Sequence, residues 1–130
     1  DHGVLDVTQS NHVYLDDFDW YVSMVLNTAG DPRCNFIYLE QPEHLDSFIE
    51  TAQENFGSTA YVCTNHQLVE AGWLVEGLSR FAPDAYIIWK DARVGYDKRF
   101  SKSQHLKMVG QHGGISDTET RIPLIKLGKY

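Results

Sequence analysis

The fold of this chain is predicted mainly by one continuous stretch, residues 34–63, which reads CNFIYLEQPEHLDSFIETAQENFGSTAYVC. Its first seven residues are mostly apolar and aromatic, as in a buried strand. Pro42 suits the first turn of a helix, because the N–H that proline lacks would be unpaired there anyway. Apolar residues then repeat at helical spacing as far as Gly57, and a second apolar run follows at 60–63. The stretch therefore predicts a β-α-β unit.

The same pattern continues on the C-terminal side of this unit. Thr64 and Gln67 have the spacing of a capping box, which predicts the start of another helix. The apolar run at 85–90 predicts a third strand, paired with 93–96 across a short turn. The order β-α-β-α-β-β over 34–97 is typical of a small α+β sandwich, ferredoxin-like or close to it.

The two flanks carry less periodic apolar surface. A short strand is predicted at 13–15, and apolar residues at helical spacing predict a helix over 17–29 that stops at Gly30. The polar, Gly-rich stretch 101–114 predicts a loop, and 122–125 predicts a last short strand.

Composition excludes several classes of protein. The chain has 130 residues, and 11 Lys and Arg against 18 Asp and Glu give a net charge of −7, so binding of duplex nucleic acid through phosphate neutralisation is not expected. No apolar run is long enough to cross a membrane. Two cysteines make neither a disulfide framework nor a zinc finger. The cellular compartment stays open, with the cytoplasm favoured over an extracellular or periplasmic location.

Two short motifs at opposite ends of the chain contain metal-ligating residue types. Asp1 and His2 precede Gly3, which would let the backbone turn so that both side chains face one ion. His112 stands in the second motif, a Gly-rich loop that leaves its side chain room to reach a ligand. Carboxylate and imidazole groups suit zinc, manganese or iron. Each motif alone is more often solvated surface, but a common core with the sandwich inserted between them would explain both positions.

Together the two motifs resemble the C-terminal part of the alkaline phosphatase superfamily, and within it the type I phosphodiesterase/nucleotide pyrophosphatase family. The resemblance lies in Asp1-His2-Gly3 and in the tail His112-Gly113-Gly114-Ile115-Ser116, Glu119 and Ile122-Pro123-Leu124-Ile125. It follows the whole chain in order, although it is sharp only at the two ends. Val4 stands where the family usually has Met, which is not a ligand.

The resemblance implies an α/β core of the alkaline phosphatase-like type in a longer parent protein, with two divalent metal ions, zinc or manganese. Asp1 and His2 match the pair on the ion nearest the nucleophile, and His112 matches the last ligand of the second ion. Glu119 and Pro123 match positions that pin the His112 loop to the final core strand. The nucleophile and the remaining ligands would lie upstream of Asp1.

These implications divide the chain into three parts. Residues 1–33 are a core-derived metal loop and connecting helix, residues 34–97 are an α+β cap domain, and residues 98–130 are a C-terminal core segment that carries the second metal-ligand loop. The parent protein is expected to be a hydrolase of phosphodiester or nucleotide pyrophosphate bonds. Its substrate would be a small phosphorylated molecule, with nucleotides among the candidates. The chain alone is expected to be inactive, because its catalytic partner is the missing N-terminal part of the same protein.

Other readings stay open. A phosphonate hydrolase, a phosphomonoesterase and a phosphomutase share this metal site within the superfamily. Outside it, the chain could be a non-catalytic ferredoxin-like binding module. The enzyme hypothesis expects roughly 150 to 250 further residues upstream, a length that follows from an α/β core of usual size. The binding-module hypothesis expects an initiator Met at or just before Asp1.

Two further groups of residues are more often structural than functional. Aromatic side chains could stack on a nucleobase, although core packing is the more common role of such residues within strands: Trp73, Tyr86, Trp89 and Tyr96. A modest basic patch could meet a distal phosphate, although a solvated surface is the more common outcome: Arg93, Lys98, Arg99 and Lys102.

Overall fold

The computed structural model describes residues 1–77, 81–125 and 127–128. The strands are β1 Leu5–Asp6, β2 His12–Tyr14, β3 Val25–Asp31, β4 Cys34–Leu39, β5 Ala60–Thr64, β6 Ala85–Trp89, β7 Val94–Tyr96 and β8 Gly110–Gln111. The α-helices are α1 Asp19–Met24, α2 Leu45–Phe56, α3 Asn65–Glu70 and α4 Asp117–Thr120. Short 3-10 turns occupy Gln9–Asn11, Leu15–Asp17, Pro42–His44 and His105–Lys107.

The largest sheet has four strands in the order β3-β4-β6-β5, and each neighbouring pair is antiparallel. β4, α2 and β5 form the predicted β-α-β unit, with β6 between its two strands. The predicted strands at 34–40, 60–63 and 85–90 and the helix that follows Pro42 are confirmed. The Thr64 capping box is also confirmed, since its hydroxyl accepts from the backbone N–H of Gln67 at 3.1 Å. The chain is a small mixed α/β domain.

The sheet separates two apolar layers, because successive side chains of a strand point to opposite faces. The main layer contains β-strand residues such as Ile37 and Ile87 and the buried face of α2, which presents Phe48, Ala52 and Phe56. The second layer contains Tyr86 and Ile88 against Leu68 of α3. Across the described ranges, no helix combines the length and apolar character needed to cross a membrane.

The helix predicted over 17–29 is wrong in its second half. α1 ends at Met24, and Val25–Asp31 forms the edge strand β3, which pairs with β4 through a two-residue turn at Pro32 and Arg33. The helical spacing was misleading, because two of its apolar members, Val22 and Leu26, are 40% and 57% exposed. The sheet therefore begins at Val25, whereas the sequence had predicted that the sandwich begins at residue 34.

The pairing predicted between 93–96 and the third strand is also wrong. Both edges of β6 are already bonded, to β4 and to β5, so β7 has no free edge of β6 to join. Instead β7 pairs in parallel with β2, with His12 opposite Val94 and Tyr14 opposite Tyr96.

The C-terminal flank also differs from the prediction. The stretch 101–114 is mostly loop, as predicted, but it includes the 3-10 turn at His105–Lys107 and the strand β8. The strand predicted at 122–125 does not form, and Ile122, Leu124 and Ile125 are exposed there. Helix α4 was missed, although Ser116 and Glu119 have the capping-box spacing that signals such a start.

Candidate functional site

The two metal-ligand motifs are brought together by a small antiparallel sheet. β1 pairs with β8, with Leu5 opposite Gln111 and Asp6 opposite Gly110. Two backbone hydrogen bonds extend this pairing. The N–H of Val7 donates to the backbone carbonyl of Val109 at 2.8 Å, and the N–H of Gly3 donates to the backbone carbonyl of Glu119 at 2.9 Å. The first residues of the chain are thereby fixed beside the loop that carries His112.

Asp1, His2 and His112 lie together as a result. The rings of His2 and His112 stack with their centroids 4.1 Å apart and an angle of 30° between their planes, although the two residues are separated by 110 positions in the sequence. Nε2 of His2 is 3.9 Å from Oδ1 of Asp1. All three residues are exposed, so they form a surface site rather than a buried one.

The hydrogen bonding of His2 fixes which of its nitrogens could bind a ligand. Nδ1 lies 2.9 Å from the carbonyl oxygen of Gly3, which can only accept a hydrogen bond. In the neutral ring, Nδ1 therefore carries the proton and Nε2 has the lone pair. A backbone carbonyl that orients the second ring nitrogen is a common feature of metal-binding histidines.

Gly3 has a different role from the predicted one. It is required by close backbone packing and not by a sharp turn towards an ion. A Cβ atom at this position would lie 1.7 Å from the carbonyl oxygen of Thr118, far inside contact distance. Because Gly3 has no side chain, the first residues of the chain can approach α4 closely enough for the Gly3 N–H to reach the backbone carbonyl of Glu119.

We expect Gly3→Ala to detach residues 1–3 from α4, because the new Cβ and the Thr118 carbonyl cannot both keep their places. Backbone amide exchange should show faster exchange at Gly3's position, and the ring contact between His2 and His112 should weaken. Gly110→Ala is the matched control in the same small sheet, since a Cβ there would meet only a side-chain carbon of Val4 at 3.0 Å. Equal behaviour of the two variants would contradict this explanation of Gly3.

The His112 loop is fixed by the carboxylate of Glu119. Its Oε1 accepts from the backbone N–H of Gly114 at 2.9 Å, and its Oε2 accepts from the hydroxyl of Ser116 at 2.6 Å. Both oxygens also accept from Arg33, from Nε at 3.0 Å and from Nη2 at 2.9 Å. Glu119 therefore pins the loop to the β3–β4 turn, whereas the resemblance had implied the final core strand.

The surroundings of Glu119 keep it ionised. Burial would raise the pKa of this carboxyl, but the hydrogen bonds from Arg33, Ser116 and Gly114 outweigh burial and lower the pKa to about 2. Both partners of the ion pair are buried, Arg33 at 0% and Glu119 at 3% exposure. The guanidinium binds the carboxylate through two parallel hydrogen bonds, the strongest geometry for such a pair.

Sequence analysis did not identify Arg33. The residue lies in a hairpin turn, 86 positions before its partner, and no local pattern distinguishes it from a solvated arginine. Asp31 at the start of the same turn was also missed. Its side chain lies against Gly113, where a Cβ would be 2.9 Å from the carboxylate.

The metal-ligand chemistry of the site is only partly matched by its geometry. Two ligand atoms on one tetrahedral zinc are about 3.3 Å apart, from bond lengths of about 2.0–2.1 Å. The 3.9 Å between Asp1 and His2 is near that value. Within the part of the chain that the structure describes, however, no group of three or more His, Cys, Asp and Glu side chains is arranged to hold an ion. The donors fit a metal in type and proximity, and they do not form a complete site.

The aromatic and basic residues are mostly occupied elsewhere. Tyr86, Trp89 and Tyr96 are buried, while Trp73 is 57% exposed. The basic side chains pair with nearby carboxylates, Lys98 with Asp17 at 2.7 Å and Arg99 with the buried Asp97 at 2.7 Å.

The chain was also compared with known proteins. No protein-family model matches it, and neither the curated proteins nor the solved structures include a significant match.

Proposed function

We propose that this chain is part of a metal-dependent hydrolase of phosphoric esters, in which Asp1, His2 and His112 are ligands of a two-metal centre. The observation that carries the proposal is the contact between His2 and His112, whose ring centroids are 4.1 Å apart. They are the histidines of the two motifs that the sequence predicts to be metal-binding. The pairing of β1 with β8 brings them together across 110 positions of sequence.

The arrangement of the rings favours two ions over one. Nearly parallel rings at this spacing can each present a nitrogen to a different ion of a pair about 3.5–4 Å apart, the usual separation in two-metal sites. Asp1 and His2 would then share the first ion, and His112 would bind the second. This assignment agrees with the one that the family resemblance implies.

The residues of this chain would bind the metal ions and keep the ligand side chains in the required orientation. Asp1 supplies a carboxylate oxygen, and the carbonyl of Gly3 holds His2 in the tautomer that leaves Nε2 free. When bound, the two ions would activate a hydroxyl nucleophile and stabilise the charge on the transferring phosphoryl group. They would also give an acidic protein the local positive charge needed for an anionic substrate. Three ligands are too few for two ions, since a catalytic zinc usually has three protein ligands of its own. We assign the remaining ligands and the nucleophile to the rest of the parent protein.

We expect the pure 130-residue chain not to hydrolyse a nitrophenyl phosphodiester in the presence of zinc or manganese, because catalysis fails when members of such a constellation are missing. The parent protein should hydrolyse the same substrate under the same conditions. The measurement is release of nitrophenol, with metal-free parent protein as the control. Metal-dependent turnover by the isolated chain would show that the site is misassigned.

A further inference from the structure

The turn between β3 and β4 forms the base on which the His112 loop rests. Asp31 lies against Gly113, and Arg33 lies against Gly114, where a Cβ would be 3.0 Å from Nε of the guanidinium. The four-stranded sheet and the candidate metal loop therefore meet at one short turn.

Arg33 is itself held firmly from several directions. Its backbone carbonyl accepts from the N–H of Trp89 at 3.0 Å, which fixes the residue to the end of β6. Nη1 donates to the backbone carbonyl of Arg93, just before β7. The guanidinium is fully buried, so its position is set by the sheet and not by solvent. A guanidinium held in this way can set the position of the carboxylate that binds to it, here that of Glu119.

The hydrogen bonds around Glu119 connect this charge to the loop. Oε1 accepts from both Arg33 Nε and the N–H of Gly114, and Oε2 accepts from both Arg33 Nη2 and the hydroxyl of Ser116. Each carboxylate oxygen thus joins a fixed donor of the sheet to a donor of the loop. The loop cannot shift without breaking a charge-assisted bond. The contact is close, since a Cβ at Gly114 would lie 2.8 Å from Oε2 of Glu119.

We infer that Arg33 is a positioning residue for His112, acting through Glu119 and the backbone of Gly114. Its guanidinium is fully buried, so it would act through Glu119 and not by contact with an ion or a substrate. Its role is to hold the His112 ring against His2, in the place where the second ion would bind. The positioning itself can be tested without a metal, whereas its consequence for metal binding rests on the proposed function.

The first test uses the 130-residue chain without metal and nuclear magnetic resonance. The probes are the ring-to-ring contact of His2 with His112, read as a nuclear Overhauser effect, and the amide exchange of Gly114. In Arg33→Met the contact should disappear, and Gly114 should exchange at least about 10-fold faster relative to the amides of β6, from the loss of a charged hydrogen bond. Arg93→Met is the matched control, because that side chain is partly exposed and pairs with the exposed Asp91 at 3.3 Å.

Two milder variants serve if Arg33→Met does not fold. Arg33→Lys keeps the charge and loses the paired geometry, while Ser116→Ala removes one loop bond and leaves the Arg33–Glu119 pair intact. Both should weaken the ring contact to a smaller extent than Arg33→Met. An unchanged ring contact together with unchanged Gly114 exchange in the Arg33 variants would overturn the inference, whatever the function of the site.

The second test uses the parent protein and measures bound zinc and its affinity. Arg33→Met should weaken the ion held by His112 by about 10- to 100-fold, the range for residues that orient ligands, and should leave the ion of Asp1 and His2 in place. Loss of the ring contact with unchanged affinity for both ions would leave the positioning role supported and would contradict His112 as a ligand. The two tests therefore separate failure of this inference from failure of the proposed function.

Discussion

Glu119→Ala should lower the free energy of unfolding by about 3–5 kcal/mol, the cost of removing one partner from a buried ion pair. Arg33 would keep its charge at 0% exposure with no carboxylate to balance it. The N–H of Gly114 and the hydroxyl of Ser116 would also lose their acceptors. Urea denaturation, followed by circular dichroism, measures the change.

The chain offers a matched control on the same short helix. Asp117 pairs with Arg121 at 2.7 Å, but both side chains are about four-fifths exposed, at 78% and 80%. Exposed pairs contribute little, so Asp117→Ala should change the unfolding free energy by less than about 1 kcal/mol. If both alanine variants lost the same small amount, the Arg33–Glu119 pair would not have the structural role assigned to it.

The same carboxylate predicts how the fold responds to acid. The pKa of Glu119 is about 2 in the folded chain, below the ordinary value of 4.5. A group with a lowered folded pKa stabilises the fold above its unfolded pKa, and this stabilisation is lost as the pH falls towards the folded value. Stability should therefore decline between about pH 4.5 and pH 2. Glu119→Gln should flatten the decline, and a decline of unchanged depth in that variant would contradict the assignment.

His112→Ala in the parent protein should have the largest effect on activity. Residues that only orient a ligand cost about 10- to 100-fold when replaced, so loss of a ligand itself should lower the hydrolytic rate by more than about 100-fold. The fold should survive, because the His112 side chain is exposed and lies outside both apolar layers. Hydrolysis of a nitrophenyl phosphodiester and the zinc content of the purified protein are the two measurements.

His44→Ala is a suitable control for this variant. His44 is also an exposed histidine, and it lies in the 3-10 turn before α2, outside both metal-ligand motifs in the sequence. It should retain full activity and metal content. Wild-type activity and zinc content in His112→Ala would instead favour the non-catalytic binding module.

Local patterns predicted those parts of the fold that depend on neighbours in sequence. The β-α-β unit over 34–63 was predicted because its strands, helix and terminating glycine are all local signals. The helix over 17–29 was predicted wrongly at its end, because Val25–Asp31 becomes a strand only by pairing with β4. The partner of β7 could not be predicted either, since it depends on both edges of β6 being occupied.

The candidate site shows the same division. The residue types and order of the two motifs pointed to Asp1, His2 and His112, and the structure places these three residues together. The ion pair that holds the His112 loop could not be predicted, because Arg33 and Glu119 are 86 positions apart and neither is unusual in its local sequence. The role of Gly3 was misjudged for a similar reason, since the atom that excludes a side chain there belongs to Thr118.

The most direct test of the central claim is a crystal structure of the parent protein grown with zinc, with anomalous scattering recorded at the zinc edge. The account predicts two peaks about 3.5–4 Å apart. One peak should lie about 2.0–2.2 Å from Asp1 and His2, and the other at a similar distance from His112. Zinc bound elsewhere, or a pair of ions with none of these three residues among its ligands, would contradict the account.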